Sequence, residues 1–91
     1  MKDKLLKKMQ TGRSNVRMDE LLKVMGLFGF TWKRTKHGYI FFHDQLKGLI
    51  MPHVPIPHGR EGKVLSHYVD LCLLAIDALR KESNNEKISH L

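Results

Sequence analysis

Within Lys33-Arg34-Thr35-Lys36-His37-Gly38-Tyr39-Ile40-Phe41-Phe42-His43, three cations precede an imidazole and a β-forming run follows it. A histidine titrates near neutral pH and suits proton transfer, and lysine and arginine stabilise charge on phosphorus. Cleaving RNA through its own 2′-hydroxyl asks for little else, because the nucleophile belongs to the substrate. His37 is the candidate general acid or base, with Lys33, Arg34 and Lys36 as phosphate ligands. Lys47, Arg60 and Lys63 extend that path, and Lys63 falls near a helix start, where anions are favoured. The scheme needs no metal and no cofactor. A solvated basic hairpin carrying an incidental histidine is the plain alternative, since exposed Lys and Arg are ordinary.

Five further histidines require sorting. His43 closes the β-forming run, while His53 and His58 bracket a proline-rich stretch. With His37 or His43 they could imitate a metal site. No cysteine lies near them and acidic residues are few, so the ligand density of a zinc site is missing. Contact with RNA, or hydrogen bonding within the loop, is the expectation for all three. His67 and His90 fall on a polar helix face and in the C-terminal tail, away from this chemistry.

The elements that must position these groups fit one domain with one modest core, given 91 residues of which 42% are hydrophobic. A net charge of +7 and a pI near 9.8 point to an anionic partner: nucleic acid, an acidic protein or a membrane surface. No apolar run reaches the roughly 18 residues of a membrane span. The N-terminal lysines are not followed by the apolar stretch of a secretory signal. Cys72, the lone cysteine, cannot form an internal disulfide and lies in an apolar helical pattern. It reads as a core residue of a protein kept in a reducing, cytoplasmic setting.

In chain order, residues 1 to 15 read as a basic arm, flexible or briefly helical, broken at Thr11-Gly12-Arg13-Ser14-Asn15. Met18 to Phe28 has apolar residues on one helical face and Asp19 and Glu20 in its first turn, with Gly29 placed to stop it. Phe30 to Thr35 is the first strand, Tyr39 to His43 the second, and the hairpin turns at His37-Gly38. Leu49-Ile50-Met51 begins a third strand that Pro52 ends or pushes to an edge. His53 to Gly62 reads as a loop with extended stretches. The last helix runs from about Lys63 to Lys81, and residues 82 to 91 form a polar tail. The fold class is α+β, ordered α-β-β-β-α, with a three-stranded antiparallel sheet and both helices on one face.

Several short motifs resemble the HicA toxins. They are Asn15-Val16-Arg17-Met18-Asp19-Glu20-Leu21 leading into Leu27-Phe28-Gly29-Phe30, the basic strand, the hairpin histidine with Tyr39-Ile40-Phe41, and Pro52-His53 before a helix near Gly62-Lys63. The resemblance covers residues 15 to 80. It implies a fold like a double-stranded-RNA-binding domain, an endoribonuclease acting on messenger RNA, and neutralisation by a HicB-like antitoxin. One departure stands out. The family hairpin reads Gly-Ser-His before its aromatic and Ile-Phe residues, whereas here an ungapped match puts Gly38 in the histidine slot and His37 one position early. A one-residue shift flips strand faces, so either the turn is rebuilt or the chemistry is altered or lost. A non-catalytic RNA-binding module on the same scaffold, or a small domain docked on an acidic protein, therefore stands beside the nuclease reading.

Overall fold

The computed structural model describes residues 2–57 and 62–89. Three α-helices and three strands follow in the order α1 (Lys2–Thr11), α2 (Met18–Leu27), β1 (Thr31–Arg34), β2 (Gly38–Phe42), β3 (His53–Pro55) and α3 (Ser66–Ser89). The class is α+β, and the three strands form an antiparallel sheet ordered β1-β2-β3.

Three elements differ from the sequence expectation, and α3 is one of them: it begins at Ser66 rather than Lys63 and continues to Ser89, through residues expected as a polar tail. Residues 2–11, expected as a basic arm either flexible or briefly helical, form a helix that packs against the domain: Leu6 and Met9 are each only 3% exposed and join the main core. Leu6 and Met9, at helical spacing, suffice to seat α1, while Lys4, Lys7 and Lys8 stay in water. The third strand is not Leu49-Ile50-Met51. Lys47 and Gly48 take positive φ values of 51° and 75°, Leu49 is 86% exposed, and pairing resumes only at His53. β3 is a short edge strand whose central Val54 is buried and whose Pro55 needs no ladder donor.

α2 starts where its acidic first turn indicates. The Glu20 carboxylate accepts the Arg17 backbone N–H at 3.3 Å, and the helix ends as expected at Gly29, with φ +86°. The Phe30 N–H then donates to the Met25 carbonyl at 3.0 Å, satisfying one of the last carbonyls of the helix. α3 is preceded by an isolated antiparallel bridge between Arg17 and Lys63, with the Val64 N–H donating to the Val16 carbonyl at 2.8 Å. That bridge ties the entry of α3 to the entry of α2.

The core lies on one face of the sheet. Phe41 and Val54, from the inner face, cluster with Leu21, Val24 and Met25 of α2, Leu6 and Met9 of α1, and Val69, Cys72 and Ile76 of α3. Trp32 lies on the same face, edge-to-face with Phe41 at 5.8 Å and close over Gly26 of α2. Alternation puts Thr31, Lys33, Ile40, Phe42 and His53 on the other face, where only Ile40 is half-buried and the rest are exposed. Among the described residues no helix is long and apolar enough to cross a membrane.

Candidate nucleic-acid interface

The hairpin is closed by side chains as much as by its ladder. The Thr35 N–H donates to the Gly38 carbonyl at 2.8 Å. The Thr35 hydroxyl accepts the Gly38 N–H at 3.1 Å and lies within donating distance of the Gly38 carbonyl. The turn therefore comprises Thr35 to Gly38, with Lys36 and His37 at its tip rather than His37 and Gly38. Gly38 opens β2, and its φ is not positive. Its glycine identity answers to space: a Cβ there would sit 2.1 Å from the Val54 carbonyl oxygen and 2.7 Å from the Pro55 Cα.

His37 is exposed, and its backbone is anchored, with the Ile56 N–H donating to its carbonyl at 2.9 Å. It lines an open cleft of about 450 Å³ with Thr35, Tyr39, His53, Pro55 and Tyr68. His53 is paired with Ile40 two ladder positions further along β2. Two imidazoles thus border one cleft, which the sequence could not indicate while His53 was read as part of a loop.

Arg34 has a different setting from Lys33 and Lys36. Its guanidinium donates to the Thr35 and Gly38 carbonyls and lies 5.2 Å from the Tyr39 ring centroid, so it braces the hairpin from the core side. Lys33 points to the opposite face and Lys36 stands at the tip; all three are exposed. Strand alternation alone would have separated Arg34 from Lys33, since adjacent residues on a strand face opposite ways.

The remaining candidates are dispersed. His43 lies at the end of the hairpin away from His37. It packs edge-to-face on Phe30 at 5.1 Å, and its Nδ1 accepts the Gln45 N–H at 3.0 Å to cap the 3₁₀ turn Asp44–Leu46. Those contacts give it a structural role. Lys47 follows that turn, exposed and left-handed, at the same far end. Lys63, half-buried in its bridge to Arg17, lines a smaller groove with Pro55, Pro57 and Tyr68. His58 and Arg60 lie outside the described residues.

Charge is divided unevenly. Lys8 pairs with Glu20, Arg13 with Asp70, Arg80 with Asp3 and Lys81 with Asp77, all on the helical side. Among the described residues, Lys33, Lys36 and Lys47 pair with no carboxylate. Exposed pairs add little stability, and among the described residues Lys4 and Lys7 of α1 and Lys23 of α2 likewise pair with no carboxylate, so positive field remains on the helices as well as on the sheet and hairpin. Among the described residues, no three His, Cys, Asp or Glu side chains converge to hold a metal ion. Compared with known proteins, the chain matches no family model, no curated protein and no solved structure.

Proposed function

We propose that this protein binds RNA through the hairpin and cuts it there, as a metal-independent endoribonuclease of the HicA type held in check by a HicB-like antitoxin. The observation that carries the reading is the exposed, backbone-anchored imidazole of His37 at the tip of a hairpin that also presents Lys33, Arg34 and Lys36 to solvent. The order α2-β1-β2-β3-α3 suits a scaffold like a double-stranded-RNA-binding domain, to which α1 is an addition. In the reaction the ribose 2′-oxygen attacks phosphorus and the bond to the 5′-oxygen breaks, giving a 2′,3′-cyclic phosphate and a free 5′-hydroxyl. His37 transfers a proton in that step, and Lys36 offsets charge on the phosphoryl oxygens.

The turn is built differently from the Gly-Ser-His pattern of that family, because the slot filled by Gly38 has no room for a side chain. That same observation favours a second reading, a binding module that grips RNA without cutting it. His37→Ala separates the two. Under the nuclease reading it lowers cleavage by about 10² to 10⁴ while leaving RNA affinity and thermal midpoint nearly unchanged. Wild-type protein that binds RNA yet never cleaves it establishes the binding module instead.

A further inference from the structure

The outer face of the sheet, with Thr31, Lys33, Ile40, Phe42 and His53, contributes no side chain to the core cluster. Its central row runs Lys33, Ile40, His53 across β1, β2 and β3, and the next row toward the far end pairs Thr31 with Phe42. Phe42 is 37% exposed, although an aromatic ring on a strand ordinarily finds apolar cover. Its inward neighbour Phe41 is fully buried, so the pair Phe41-Phe42 places one ring in the core and leaves the other on the outer face, partly open to solvent. An exposed ring beside a lysine and an imidazole, on a chain of net charge +7, matches the needs of an unpaired nucleotide. The base stacks on the aromatic face while the backbone phosphates meet the cations. A duplex offers no such fit, because its bases are already stacked and a flat sheet face does not follow a groove.

We infer that the outer sheet face is a platform for single-stranded RNA, with Phe42 stacking a base and Lys33 contacting the adjoining phosphate. The platform rests on the RNA-binding part of the function proposed above and adds the strandedness of the substrate and the residues that sense it. His53 lies on this face and also borders the His37 cleft, so a strand crossing from Phe42 toward β3 is delivered to that imidazole.

The test measures binding of the full-length chain to a short single-stranded oligoribonucleotide and to a duplex of the same length. Phe42→Ala should weaken single-strand binding at least about fivefold, and Phe42→Trp should restore it, because stacking on an aromatic ring is tolerant of base identity. Lys33→Gln should lower the magnitude of the single-strand salt slope by about 0.7. Neither position supplies a core side chain, and unchanged thermal midpoints verify that the variants are folded. Equal binding of both RNAs, or single-strand affinity indifferent to Phe42→Ala and Lys33→Gln, overturns the platform and leaves RNA binding intact. Wild-type chain that binds neither RNA overturns the RNA reading itself, and the platform with it.

Discussion

Gly38 and Pro55 face each other across the β2–β3 pair, and the missing side chain of the first is the space that the strand of the second occupies. Proline lacks the N–H that an inner strand would need, so β3 sits at an edge. Its approach also anchors the hairpin tip, because Ile56, the next residue, donates its N–H to the His37 carbonyl. A glycine, a proline and a backbone hydrogen bond thus fix the backbone that carries the candidate catalytic side chain.

Gly38→Ala should therefore be among the most damaging small substitutions in the chain. The added methyl carbon meets backbone rather than a movable side chain. The expected cost is about 3 kcal/mol or more, seen as a fall of more than about 10 °C in the thermal midpoint. Gly12→Ala is the comparison, since its Cβ comes no nearer than 3.4 Å to the Lys8 carbonyl oxygen. It should shift stability by less than about 1 kcal/mol. Similar midpoints for the two variants would contradict the packing described for β3.

α1 supplies a second expectation. Leu6 and Met9 belong to the core, so Leu6→Ala and Met9→Ala should each destabilise by about 2 to 5 kcal/mol in denaturant titrations. Lys7→Ala, at an exposed position of the same helix, should stay within about 0.5 kcal/mol of wild type. If all three were neutral, the N-terminal segment would be the arm that its lysines suggest.

Cys72 is fully enclosed, and burial pushes its thiol from 9.0 up to about 12. At pH 8 the native chain should react with a thiol reagent only as fast as it unfolds, since the thiolate is the nucleophile. The sign of the linkage follows from the raised value. The native state holds this proton more tightly than the unfolded chain, so the associated stability is complete below pH 9 and is lost as pH rises through about 12. Cys72→Ala should flatten that part of the alkaline stability profile. Rapid labelling of native protein at pH 8 would show that the α3 face is open.

Much of this fold is legible in the amino-acid order, and the failures have physical causes. α2 and the first two strands declare themselves because periodicity, acidic first turn and a terminal glycine agree. α1 is obscured because its few apolar residues are embedded among lysines, and only tertiary packing shows that Leu6 and Met9 suffice. β3 is obscured because a three-residue edge strand buries only Val54, whereas the continuous apolar run Leu49-Ile50-Met51 imitates a strand while lying partly in water. At the site, the types of the hairpin residues were readable but their directions were not. A turn shifted by one residue places Lys36 with His37 at the tip, and alternation puts the exposed Arg34 over the Tyr39 ring, on the other face from Lys33. His43 carried no sign of its capping role, which depends on the 3₁₀ turn that follows it.

The central claim is that RNA meets the exposed cations of the hairpin rather than those of the helices. The direct measurement is the slope of log affinity against log salt for wild type, Lys36→Ala and Lys81→Ala. Removing a cation that touches phosphate should reduce the magnitude of the slope by about 0.7 to 0.9, so Lys36→Ala should show that loss. Lys81→Ala, which deletes the partner of Asp77, should leave the slope as it was. A wild-type affinity indifferent to salt, or a slope that falls for Lys81→Ala and not for Lys36→Ala, would contradict the account.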